Sequence, residues 1–171
     1  MSIKMNAEYN TNMKGAILES GMERYTSLGI FLPIMREKLL SCNWLLTNID
    51  SDYQSESIKQ NNYEFMTGET FLKLIEQNNF TFVWGVFSAF PKEIGLERII
   101  SEKLPFADGY TGFWTIPINV QNPLAITEIV MWDGVLNLLI SHNNEIVDRF
   151  MQLYDCSKDL EAYNKELMRK L

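Results

Sequence analysis

The segment from Ile126 to Ser141, Ile-Thr-Glu-Ile-Val-Met-Trp-Asp-Gly-Val-Leu-Asn-Leu-Leu-Ile-Ser, constrains the fold more than any other stretch. Asp133-Gly134 sits between two apolar, strand-like runs, and both residues accept the positive φ that a type I′ turn requires. A two-residue turn sets Trp132 opposite Val135, and every other pair follows. Side chains alternate between faces. One face then carries Met131 opposite Leu136, Ile129 opposite Leu138, and Thr127 opposite Ile140. It is almost wholly apolar and is expected on the core. The other face carries Trp132/Val135, Val130/Asn137, Glu128/Leu139 and Ile126/Ser141. Its mixed character fits either a half-solvated face or a partner surface.

The rest of the chain supplies strands and helices to pack around this hairpin. Residues 1–12 show no periodicity and are expected to form a flexible polar leader, with a single domain over 13–171. Gly15–Glu19 reads as a first strand. Ser27–Leu40 is helical in pattern, with Pro33 suited to a first turn. Asn43–Asp50 is strand-like, and the polar stretch 51–62 is expected to be a loop. A short strand at Tyr63–Met66 leads into a helix capped by Thr67, with Phe71, Leu72 and Ile75 inward. Phe80–Phe87 is apolar on both faces, as a strand covered on both sides should be. Ser88–Pro91 is expected to leave the sheet. A short helix over Leu96–Lys103 precedes a loop, and Tyr110–Ile118 reads as an edge strand interrupted by Pro117. After the hairpin come two helices, one capped by Asn143 or Asn144 and one by Ser157. The expected fold is α+β: a mostly antiparallel sheet, helices packed on one face, and two C-terminal helices.

A chain of 171 residues is enough for one such core. No apolar run approaches a transmembrane span, and the N-terminus lacks the layout of a signal peptide. The expected location is therefore cytoplasmic, with Cys42 and Cys156 as free thiols. Net charge is −7, with 22 acidic and 15 basic residues. That argues against nucleic-acid binding, which needs a clustered basic face. An acidic surface would instead steer a basic partner.

Catalytic signals are sparse. His142 is the only histidine, and neither cysteine lies in a nucleophile motif. One histidine and two distant cysteines make no usual zinc site. Asp50-Ser51-Asp52 is the one close carboxylate pair with a metal reading, and a turn after a strand calls for the same residues. No glycine-rich phosphate cradle accompanies it, so no cofactor is expected. All four tryptophans (Trp44, Trp84, Trp114, Trp132) lie in strand-like segments. Trp44 and Trp84 are expected in the core, and Trp114 and Trp132 partly exposed, where tryptophan serves as an interface anchor.

The order Pro33-Ile34, Asn43-Trp44-Leu45-Leu46, Gly68-Glu69-x-Phe71-Leu72, Phe82-Val-Trp84, Ser88-Ala89-Phe90-Pro91 and Glu128-Ile-Val-Met-Trp-Asp133 resembles a family of small bacterial proteins of unassigned activity. The likeness covers roughly residues 13–155. It implies no catalytic residues. The small, acidic α+β character is also similar to that of bacterial immunity proteins, which neutralise toxins. The expectation is a non-enzymatic protein-binding module, in one form an immunity-like inhibitor of a basic partner protein. Its anchors would be Tyr110, Trp114 and Trp132, with Asp50, Asp52 and Glu128 as rim charges. The alternative is a small enzyme or ligand-binding protein built on Asp50, Asp52 and His142, which would have to converge in one pocket.

Overall fold

The strand-like segments assemble into one open antiparallel sheet. The computed structural model describes residues 13–19 and 26–170, and the expected leader at 1–12 lies outside them. Among the described residues the strands are β1 (Lys14–Leu18), β2 (Cys42–Ser51), β3 (Tyr63–Thr67), β4 (Phe82–Pro91), β5 (Thr127–Trp132), β6 (Leu136–Ser141) and β7 (Lys158–Asp159). Their order across the sheet is β3-β2-β4-β5-β6-β1-β7, and every pairing is antiparallel. The hairpin β5–β6 thus lies inside the sheet, between β4 and β1.

The helices are α1 (Leu32–Ser41), α2 (Glu56–Asn61), α3 (Gly68–Gln77), α4 (Leu96–Ile100), α5 (Asn144–Leu153) and α6 (Leu160–Arg169). The fold is α+β, and its last two helices are C-terminal. Pro33 lies in the first turn of α1. The Thr67 hydroxyl caps α3 by accepting from Thr70 N at 3.3 Å, and Asn143 caps α5 through Glu145 N. α6 is capped by Asp159 rather than Ser157. The Ser157 hydroxyl is already committed, donating to Tyr154 O at 2.6 Å.

Both faces of the sheet are covered. On the first face α1, α3 and α5 enclose Phe31, Trp44, Phe71, Phe87 and Phe150, all buried. Trp44 Nε1 donates to Leu39 O at 3.0 Å, so its polar edge is satisfied inside the core. On the second face lie Leu45, Val86, Phe90, Val130, Leu138 and Ile140. Their cover is α6 through Leu160, together with Ile99, Ala107, Phe113, Ile118 and Val120 from the segment between β4 and β5.

The register of the hairpin differs from expectation by one residue. The type I′ turn forms: Asp133 and Gly134 both have positive φ, and Val135 N donates to Trp132 O. Yet the ladder resumes at Trp132↔Leu136, followed by Val130↔Leu138 and Thr127↔Ser141. Val135 is left out of the pairing and is exposed. Leu138 and Ile140 therefore join Val130 in the second core, while Leu139 joins Ile129 and Met131 in the first. Alternation sets register only where one face is wet. Here both faces are dry, so either parity of β6 buries apolar side chains.

Three further segments depart from expectation. Residues 51–62 contain α2, whose first turn Ser55 caps through Ile58 N. Ser88–Pro91 stays in the sheet, where Phe90 pairs with Asn43 and Pro91 with Cys42. Tyr110–Ile118 is not a strand. A single 3-10 turn, Gly112–Trp114, interrupts otherwise irregular backbone.

Candidate functional site

The cover of the second face has little secondary structure, so its backbone needs other hydrogen-bond partners. Side chains supply them. Asn48 Oδ1 accepts from Ala107 N at 2.7 Å and Asp108 N at 2.9 Å. Gln121 bonds both the N–H and the C=O of Phe106. Asn122 Nδ2 donates to Ile99 O. Asn164 Nδ2, from α6, donates to Phe113 O and Thr115 O. Glu128 Oε2 accepts from Gln121 N at 2.8 Å, and its Oε1 accepts from Asn122 N and Ser88 Oγ.

Glu128 was expected on an exposed rim, and it is wholly buried. The reason is the covered face: Glu128 shares β5's second face with Val130 and Trp132, and the 121–122 backbone closes over it. Burial pushes its carboxyl up to about 7 against the downward pull of its three donors. The Tyr110 hydroxyl is raised too, first by burial and then by the nearby Glu128 carboxyl.

Along the cover runs a chain of aromatic rings. Phe106 meets Tyr110 edge-on at 5.3 Å, and Tyr110 meets Phe113 at 4.7 Å. Phe113 then meets Trp132 at 5.8 Å. At the hairpin end, Trp132 receives Trp84 at 5.0 Å and Trp114 at 5.2 Å, both edge-on. Trp114 also touches Tyr163 of α6. Each of the three tryptophans is partly exposed. Trp84 was expected in the core; only Trp44 of that pair is fully buried.

The expected rim charges divide. Asp50 is exposed and lies across the ladder from Trp84, so it borders the tryptophan cluster. Asp133, in the hairpin turn, is exposed at the same end. Asp52 is exposed, and its Oδ1 accepts from Thr81 N at 3.0 Å, which ties the ends of β2 and β4 together. On the far side, Lys158 lies over the Tyr163 ring and pairs with Glu19.

Asp50 and Asp52 do not meet His142. Asp50 pairs with Trp84 near the hairpin turn, whereas His142 follows the Thr127↔Ser141 pair at the other end of the hairpin. Thr127 pairs with Ala89. The strand length between Trp84 and Ala89 is about 16 Å at 3.3 Å per residue, so no single pocket joins these groups. Burial lowers the His142 imidazole and raises the Cys42 thiol, the reverse of what an activated thiolate needs. Among the described residues no group of three or more His, Cys, Asp or Glu side chains is gathered as a metal site. No helix among them is long and apolar enough to cross a membrane.

Compared with protein-family models, with curated proteins and with solved structures, the chain finds no match.

Proposed function

We propose that this chain is a protein-binding module whose recognition surface is the Trp84–Trp132–Trp114 cluster with its acidic border. The observation that carries the reading is the edge-on packing of three partly exposed tryptophans on one another. Each ring is held in place by the next, so little side-chain entropy remains to be lost on binding. Tryptophan is also the residue most enriched among interface anchors. Tyr110 connects to the cluster through Phe113, whose ring it meets at 4.7 Å and which in turn meets Trp132.

Asp50 and Asp133 at the edge, with a net charge of −7 overall, favour a partner with a basic face and speed its approach. Neutralising a basic toxin-like protein in the bacterial cytoplasm, in the manner of immunity proteins, is one form this activity takes.

The test is a partner cross-linked to the wild-type protein in its host, then purified and measured against variants. Trp114→Ala should weaken its binding by at least about thirtyfold, as hot-spot truncation does. The variant should keep a near-native melting profile, because Trp114 is partly exposed and belongs to the cover rather than to a strand. Equal recovery by the wild type and by the Trp114→Ala, Trp132→Ala double variant would rule the surface out.

A further inference from the structure

The aromatic chain along the second face has three ends. At one, the Lys103 ammonium lies 4.9 Å from the Phe106 centroid. At another, the Lys158 ammonium lies 5.8 Å from the Tyr163 centroid, and it also pairs with Glu19. Each cation is drawn to the negative face of its ring. The third end is Trp84. Among the described residues its ring meets that of Trp132 alone, at 5.0 Å, and no cation of the chain lies over it.

Asp50 brings a carboxylate to this third end. Residues paired across an antiparallel ladder point to the same face, with Cβ atoms about 5 Å apart. Asp50 pairs with Trp84, so Trp84 stands between Asp50 on β2 and Trp132 on β5. Asp50 is exposed. Among the described residues it forms no ion pair and no side-chain hydrogen bond. Other aspartates have tasks within the fold: Asp52 accepts from Thr81 N, Asp148 pairs with Lys14, and Asp159 caps α6. Aspartate is also depleted in strands, and position 50 lies within β2. Trp84 and Asp50 thus repeat the ring and carboxylate that Tyr163 and Glu19 present to Lys158.

We infer that the Asp50–Trp84 end of the proposed recognition surface is a subsite for a guanidinium group, supplied by an arginine of the partner protein. The inference rests on the reading of the tryptophan cluster as that surface. The guanidinium stacks on the exposed side of the Trp84 indole and donates to the Asp50 carboxylate. Arginine is favoured over lysine by hydration. Trp84 is only partly buried, so an ammonium beside it keeps its water. The planar guanidinium is weakly hydrated, stacks on a ring and can present two N–H groups to one carboxylate. A quaternary ammonium needs rings arranged around it. At 5.0 and 5.2 Å these tryptophans pack on one another instead.

The probe is N-acetylarginine methylamide, with N-acetyllysine methylamide as the control of equal charge. Nuclear magnetic resonance titrations follow the indole N–H signals. The arginine probe should shift the Trp84 signal and leave that of the buried Trp44 in place. It should bind at least about threefold more tightly than the lysine probe. Asp50→Asn should weaken arginine binding by about fivefold. Asp52→Asn makes the same change in net charge and should leave binding within about twofold of the wild type. Equal binding of the two probes, or of the arginine probe by Asp50→Asn and the wild type, would overturn the inference. The surface itself would then still stand or fall by the Trp114→Ala measurement on the purified partner. Equal recovery of that partner by the Trp114→Ala, Trp132→Ala double variant would remove the surface, and this subsite with it.

Discussion

Gly68→Ala should lower the melting temperature by about 10 °C, against the direction that helix propensity alone predicts. Alanine in place of glycine ordinarily stabilises a helix by about 0.5–1 kcal/mol. At Gly68, the first residue of α3, that gain is outweighed. A Cβ there would lie 1.9 Å from Leu39 O and 2.7 Å from Cys42 O. Both contacts are to backbone, so no rotamer change relieves them. α3 must move away from the end of α1, and Phe71, Leu72 and Ile75 move with it. Those side chains form part of the first core, where Phe71 packs on Trp44 at 4.7 Å and on Phe87 at 5.9 Å. The expected cost is about 3 kcal/mol, the upper end for overpacking. In a domain of this size that corresponds to roughly 10 °C. Circular dichroism melts of the wild type and the variant decide the matter. A variant that melts at or above the wild type would mean that α1 and α3 are not in backbone contact.

The parts of this fold that were legible in the sequence are those governed by local chemistry. Asp133-Gly134 announces its turn because few residues tolerate two successive positive φ values. Thr67 and Asn143 announce helix starts because a short polar side chain can satisfy a free N–H there. Pro33 marks the first turn of α1 for the complementary reason, since it has no N–H to satisfy. What could not be read depends on partners distant in sequence. The extra residue Val135 slips the register, and nothing near it signals this while both sheet faces are apolar. Residues 110–118 read as an edge strand because their apolar residues suit one. Two of their carbonyls, Phe113 O and Thr115 O, instead accept from the side chain of Asn164, remote in sequence, and no local pattern displays such a partner.

The candidate surface was half legible for the same reason. Trp114 and Trp132 were expected to be partly exposed, and they are. Trp84 was missed because its strand reads as covered on both sides. The sheet does cover β4 along Val86–Phe90, but the cover stops short of Trp84, which remains partly exposed beside Trp132. Asp50 reached the edge of the cluster through its pairing with Trp84 across the bulged end of β2.

Glu128 carries the other large effect, and it appears as a dependence on pH. The buried carboxyl titrates near 7 in the folded protein, against an ordinary value of 4.5. Between those two values the folded chain holds a proton that the unfolded chain has released. Unfolding free energy therefore falls as pH rises through this window. The stabilising contribution is complete below about 4.5 and is lost as pH passes 7. Its size is about 3 kcal/mol, from roughly 1.4 kcal/mol per pH unit. A variant at this one position isolates the effect from the rest of the chain. Glu128→Gln cannot ionise. Its carbonyl can still accept from Gln121 N, and its amide can donate to Ser88 Oγ, so that only the longer bond from Asn122 N is given up. Denaturant titrations at pH 5 and pH 8 should show the wild type losing about 3 kcal/mol more than the variant. Parallel losses in the two proteins would mean that Glu128 is ionised in the fold across the whole range. Glu128→Leu tests the same residue in its other capacity. It strands the N–H groups of Gln121 and Asn122 in an apolar site, at a cost of about 3 kcal/mol that pH does not relieve. A carboxylate on a binding rim would give neither result, since its removal would leave stability nearly unchanged at every pH. The two variants together distinguish a group that pins the cover of the second face from one that meets a partner.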